Sequence, residues 1–111
     1  MTYDTFYTLI SEATAYTDAD LFVAEWSTSS IFPEDSDLAS VAHDLHSIWS
    51  LAHISVRDLI ASAGISQTAL AKRFCIPLRT VQNWSTDQRE CPIYIRLMMA
   101  DLLGLNCVER Y

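Results

Sequence analysis

Apolar residues recur three and four positions apart along most of this chain, and no stretch alternates convincingly in twos. That period is helical. In residues 2–16 it runs through Phe6, Leu9, Ile10 and Ala13. Thr17 then reads as an N-cap, with Asp20 three residues on as its reciprocal partner, opening a helix that carries Leu21, Phe22, Ala24 and Trp26. The stretch STSSIFPEDSD, with Pro33 and its Ser/Asp cluster, is punctuation, and Asp35 or Ser36 can cap the third helix. That helix holds Leu38, Val41, Ala42, Leu45, Ile48, Trp49 and Ala52. Val56, Leu59, Ile60 and Ala63 form a further face that Gly64 ends. Ser66 caps a helix with Ala69, Leu70 and Phe74. Pro77 opens another, with Val81 and Trp84 inward, and Pro92 opens the last, which Gly104 stops. The pattern predicts an all-α protein of six or seven helices.

Composition supports a packed core: half of the 111 residues are apolar, including three Trp, four Phe and five Tyr. No apolar run approaches the roughly 18 residues of a membrane span. The first 22 residues contain acids and no basic residue, unlike a secretory leader. A cytoplasmic protein is expected. Charge divides the chain more sharply than its net of -7 suggests. Residues 1–53 hold nine acids and no Lys or Arg, whereas residues 54–104 hold six basic residues against four acids. The expected organisation is an acidic helical extension, residues 1–53, packed on a module of residues 54–111. An acidic balance opposes indiscriminate coating of nucleic acid but leaves room for one basic face.

Candidate chemistry is sparse. Cys75, Cys91 and Cys107 stand sixteen apart, with no CxxC pair, and read as reduced thiols. His43 and His46 are one helical turn apart, with Asp44 and His53 nearby, but no full ligand set accompanies them. With two glycines there is no phosphate-cradling loop, and no nucleophile is paired with a base. Neither an enzyme, a metal nor a cofactor is expected.

Residues 66–84, SQTALAKRFCIPLRTVQNW, are the informative stretch. Two helices of eight or nine residues with a three-residue corner let the first brace the second, so that the second enters a major groove about 12 Å wide. The inward set is Leu70, Ala71, Phe74, Ile76, Val81 and Trp84, with Ala71 small where the helices cross. The outward set on the second helix is Leu78, Arg79, Gln82 and Asn83. Arg79 can donate twice to guanine, Gln82 or Asn83 can pair with adenine, and Leu78 can touch a thymine methyl. Gln67, at a helix start, Lys72, Arg73, Thr80 and Arg89 are phosphate candidates.

These residues resemble the lambda-repressor-like (Cro/C1-type, XRE) helix-turn-helix family over roughly residues 54–105. Ser66, Gln67, Leu70, Ala71, Phe74, Ile76, Thr80, Val81, Trp84 and Pro92 match its pattern in order and spacing. The resemblance implies a lambda-repressor-like helical bundle in which Gln67 holds the DNA backbone and Leu78, Arg79, Gln82 and Asn83 face bases. It implies a transcriptional regulator, a repressor or antitoxin-type autoregulator, bound to double-stranded DNA as a homodimer. Cys75 stands at the family's usual glycine, where left-handed backbone is expected at a cost on the order of 1 kcal/mol. Pro77 replaces a capping Ser, a loss of about 1 kcal/mol. Ser85 and Asp87 replace the usual Glu and Gly. The dimer seam falls to Ile93, Leu97, Met98 and Leu102, or to the face of Trp49. The acidic half admits another reading: a protein-interaction module, or a phage-type inhibitor mimicking DNA, that holds a toxin or other partner.

Overall fold

A computed structural model describes residues 1–106 and 108–111; Cys107, one of the three thiols considered above, lies outside the described residues. Among the described residues the protein is all-α, with seven helices and no strand. They are α1 (Tyr3–Ala13), α2 (Ala19–Trp26), α3 (Leu38–His53), α4 (Val56–Ala63), α5 (Gln67–Phe74), α6 (Leu78–Ser85) and α7 (Ile93–Leu102). No helix is long and apolar enough to cross a membrane among these residues.

The helices group into two compact units. The first is Met1–His53 with Asn106–Tyr111, the second Ile54–Leu105. The last six residues thus group with the first unit, where the sequence pattern had carried the second module to Tyr111.

In the first unit α1 and α2 pack on α3. Phe6, Leu9, Ile10 and Ala13 of α1, Phe22 of α2, and Val41, Leu45, Ile48, Leu51 and Ala52 of α3 are buried, together with Val108. Leu21, placed on the apolar face of its helix by the sequence pattern, is half exposed instead. Two caps differ from expectation. Asp18, not Thr17, caps α2, accepting from the Asp20 N–H at 3.0 Å. Asp37, rather than Asp35 or Ser36, sits before α3, accepting from the Ala39 N–H and the Ser40 hydroxyl. Trp49 and His53 stack at 4.3 Å and reach the end of α1, where Trp49 Nε1 donates to the Tyr16 carbonyl and His53 Nε2 lies 2.8 Å from the Ala13 carbonyl. A carbonyl only accepts, so His53 carries its proton on Nε2. The Tyr16 hydroxyl donates to Glu25, which raises the phenol above its ordinary pKa. The C-terminal segment is tied to α1: the Tyr111 N–H donates to the Met1 carbonyl at 3.0 Å, the Met1 ammonium donates to the Glu109 carbonyl, and the Arg110 guanidinium lies 4.5 Å from the Phe6 ring centroid.

In the second unit α4 and α5 both pack on α6. Val56, Leu59, Leu70, Ala71, Val81, Cys91, Met99 and Ala100 form its buried core. All four of its helices end alike. A left-handed residue follows each, and the next N–H reaches back five residues: Ile65 to Ile60, Ile76 to Ala71, Gln88 to Asn83, and Leu105 to Ala100. The left-handed residues are Gly64, Cys75, Asp87 and Gly104, with φ of 67°, 55°, 59° and 74°. This closure satisfies carbonyls that the last helical turn would leave bare.

Candidate nucleic-acid interface

The candidate interface is built on α5, α6 and the corner between them. Ser66 opens α5 by accepting from the Ala69 N–H at 3.0 Å. Leu70 and Ala71 turn inward and are buried, while Phe74 and Ile76 are half-buried. Cys75 ends the helix in the left-handed region, at φ 55° and ψ 40°. Pro77 precedes α6 and provides no side-chain cap. On α6, Val81 is buried and Trp84 half-buried, so one face of the helix is fixed against the unit.

Three arginines hold backbone carbonyls within this unit. Arg57 of α4 donates through Nε and Nη2 to the Ser85 carbonyl at 3.2 and 2.7 Å, placing a cation at the C-terminal end of α6 where the helix dipole favours it. Arg96 donates to the carbonyls of Cys91 and Ile54, at 3.2 and 2.6 Å, tying the start of α7 to the segment two residues before α4. Arg73 donates to the Leu102 carbonyl at 3.1 Å, at the end of α7. The sequence pattern assigned nothing to Arg57 or Arg96 and gave Arg73 to phosphate.

The other face of α6 is open. Leu78, Arg79 and Gln82 are exposed and Asn83 is half-buried. Lys72 on α5 and Arg89 after α6 are exposed, while Gln67 and Thr80 are half-buried. Arg79, Lys72 and Arg89 make no side-chain hydrogen bond or ion pair among the described residues. Three of the unit's six cations are therefore engaged by its own carbonyls, and the other three have no side-chain partner among the described residues.

The remaining candidates separate. Cys75 is exposed and Cys91 buried; burial pushes the Cys91 thiol up to about 11, with Arg96 opposing. His46 faces Asp20 at 3.7 Å, both solvated. Among the described residues no group of three metal-ligating side chains gathers. In the first unit an open depression of about 500 Å³ is lined by Ser27, Thr28, Ser30, Phe32, Glu34 and Val41 among others, hydroxyl-rich but with one ionisable group. Of the nine acids in residues 1–53, Asp18 and Asp37 cap helices and Asp4 and Asp20 occupy first turns, where the dipole favours negative charge. Comparison with known proteins finds no matching family model, no matching curated protein and no matching solved structure.

Proposed function

We propose that this chain is a sequence-specific DNA-binding regulator of the lambda-repressor-like helix-turn-helix kind, a repressor or antitoxin-type autoregulator that acts in the cytoplasm as a homodimer. The observation that carries the proposal is the open face of α6. Leu78, Arg79 and Gln82 stand exposed on a helix whose opposite side is held by Val81, Trp84 and the Arg57 fork at its end. A rigidly held short helix with long polar side chains outward is what reading base edges requires.

In this reading Arg79 takes guanine, Gln82 and Asn83 take adenine, and Leu78 meets a thymine methyl. Lys72, Arg89, Thr80 and Gln67 hold phosphates, while Arg73 serves the fold. The protein binds rather than catalyses. Selection from a randomised duplex library at about 150 mM salt tests it, since non-specific binding is already weak at that ionic strength. Enrichment of a motif, lost on Arg79→Ala, is expected; recovery of unenriched DNA would overturn the reading.

The acidic first unit supports a second reading, docking of a basic protein partner. Tyr3, Tyr7 and Tyr111 are exposed there beside the acids, and aromatic residues are enriched at protein interfaces. Loss of partner binding on Tyr7→Ala, with DNA binding intact, would separate this role from the first.

A further inference from the structure

We propose that the depression formed by the α2–α3 loop and the start of α3 is a binding site for a small organic cation, a primary amine with an apolar body. The loop is held by its own backbone. The Ser29 N–H donates to the Trp26 carbonyl at 3.1 Å, the Phe32 N–H to the Ser29 carbonyl at 3.3 Å, and the Ser36 N–H to the Pro33 carbonyl at 3.1 Å. Asp37 then caps α3. At about 500 Å³ the depression falls within the range of small-molecule sites, roughly 300–1,000 Å³.

Its lining has two parts. Phe32, Leu38 and Val41 supply an apolar wall, and Thr28, Ser30, Ser36 and Glu34 supply oxygens. The hydroxyls of Ser27 and Ser29 are taken up by the backbone, donating to Ala24 and accepting from Ile31. Those of Thr28, Ser30 and Ser36 make no hydrogen bond among the described residues. Each hydroxyl offers two acceptor lone pairs and the carboxylate offers acceptors only, whereas an ammonium carries three donors and no acceptor.

Charge decides between ligands that such oxygens suit. Glu34 is the ionisable side chain on the lining, Asp35 and Asp37 follow it in sequence, and residues 1–53 hold nine acids and no Lys or Arg. A cleft with one sign of charge concentrates ligands of the other. An anion is repelled there, and a neutral polyol gains nothing from the field and little from the apolar wall. A divalent ion lacks its ligand set, since no three metal-ligating side chains gather among the described residues. The site lies wholly within the first unit and stands whether or not α6 reads DNA.

Heteronuclear NMR of the full chain, titrated in turn with butylamine, phenethylamine and tyramine, tests the site. Amide shifts centred on residues 27–41 that saturate at millimolar amine are expected, the affinity a ligand of this size reaches. Phenylethanol, neutral and of the same shape as phenethylamine, should bind about three- to fivefold more weakly, and phenylacetate not at all. Glu34→Gln should weaken the amine by the same factor of about three to five, with an unchanged thermal melt, since Glu34 is exposed. Glu12→Gln removes an equal charge outside the depression and should change affinity by less than about twofold. Amines that leave residues 27–41 unmoved, phenylethanol that binds as tightly as phenethylamine, or a Glu34→Gln chain with unaltered affinity would each overturn the site. Equal losses in Glu34→Gln and Glu12→Gln would overturn it too, reducing the effect to general attraction by an acidic surface.

Discussion

Cys75 occupies left-handed backbone at a corner where its neighbours in kind, Gly64 and Gly104, are glycines. Its Cβ costs about 1–2 kcal/mol there, while a glycine would add roughly 0.4–1 kcal/mol of unfolded-state entropy. The first effect wins narrowly. Cys75→Gly should raise stability by about 0.5–1 kcal/mol, read as a higher urea midpoint, without altering DNA selection. Asp87 is in the same conformation at less cost, because a short polar side chain tolerates it. The left-handed turn at Cys75 was legible from the helix-turn-helix pattern that residues 66–84 resemble. The caps at Asp18 and Asp37 were not, because Thr17 and Ser36 satisfy the same sequence rule and only the helix start decides between them. At Cys91 burial raises the thiol from 9.0 to about 11. The folded state therefore holds a proton that the unfolded chain releases first. Stability from this group is complete below pH 9 and should fall as pH rises toward 11. Urea midpoints across that interval should show the slope, and Cys91→Ala should flatten it. At the interface Arg79→Ala should cost about 1–3 kcal/mol at one base position. Lys72→Ala should weaken binding to all sequences and lower the salt slope by about one. A loss confined to one target sequence would contradict the phosphate role of Lys72.

The helices themselves were readable because three-four spacing decides which side is buried. Val41, Leu45, Ile48 and Ala52 lie on one face of α3, and all are buried. The sequence was silent where a contact joins residues distant along the chain. Nothing near Arg57 announces that it grips the Ser85 carbonyl 28 positions away. Arg73, basic and beside Lys72, has the local signature of a phosphate ligand, and nothing in that signature announces the bond its guanidinium donates to Leu102. Arg57 links α4 to the end of α6, and hydrogen bonds from a charged group contribute about 1.5–3 kcal/mol. Because Arg57 is exposed, its removal should cost the lower part of that range. Arg57→Met should therefore lower stability and also weaken specific DNA binding more than non-specific binding, since α6 loses the clamp on its end. Equal losses on both kinds of DNA would assign Arg57 a purely structural role. Ser85 presents the opposite case. Its hydroxyl is buried without a partner among the described residues, so Ser85→Ala should be neutral or slightly stabilising.

At the scale of the whole molecule, charge is segregated between the two units. Four of the nine acids in residues 1–53 stand at helix starts, which accounts for part of the skew. Glu34 and Asp35, exposed in a loop, have no such duty. If the first unit repels polyanions, neutralising this pair (Glu34→Gln with Asp35→Asn) should raise sequence-independent DNA affinity at low salt. The gain should shrink as the Debye length falls below about 10 Å. Identical affinity at every salt concentration would dismiss the repulsion. The segregation was plain in the sequence, whereas the place of the last residues was not. Val108 sits in the core of the first unit and Arg110 lies over Phe6, pairings more than a hundred positions apart in the latter case that no local pattern encodes.

That pairing makes the first unit discontinuous in sequence. Domains fold as units while the chain emerges at about 5–20 residues per second. All of Ile54–Leu105 is translated before Asn106–Tyr111, the strip that completes the first unit. The first unit therefore cannot close its core until Val108 has been made, after the whole of the second unit. A chain that lacks this strip would carry an intact second unit and a first unit with a gap in its core, the state most exposed to chaperones and proteases.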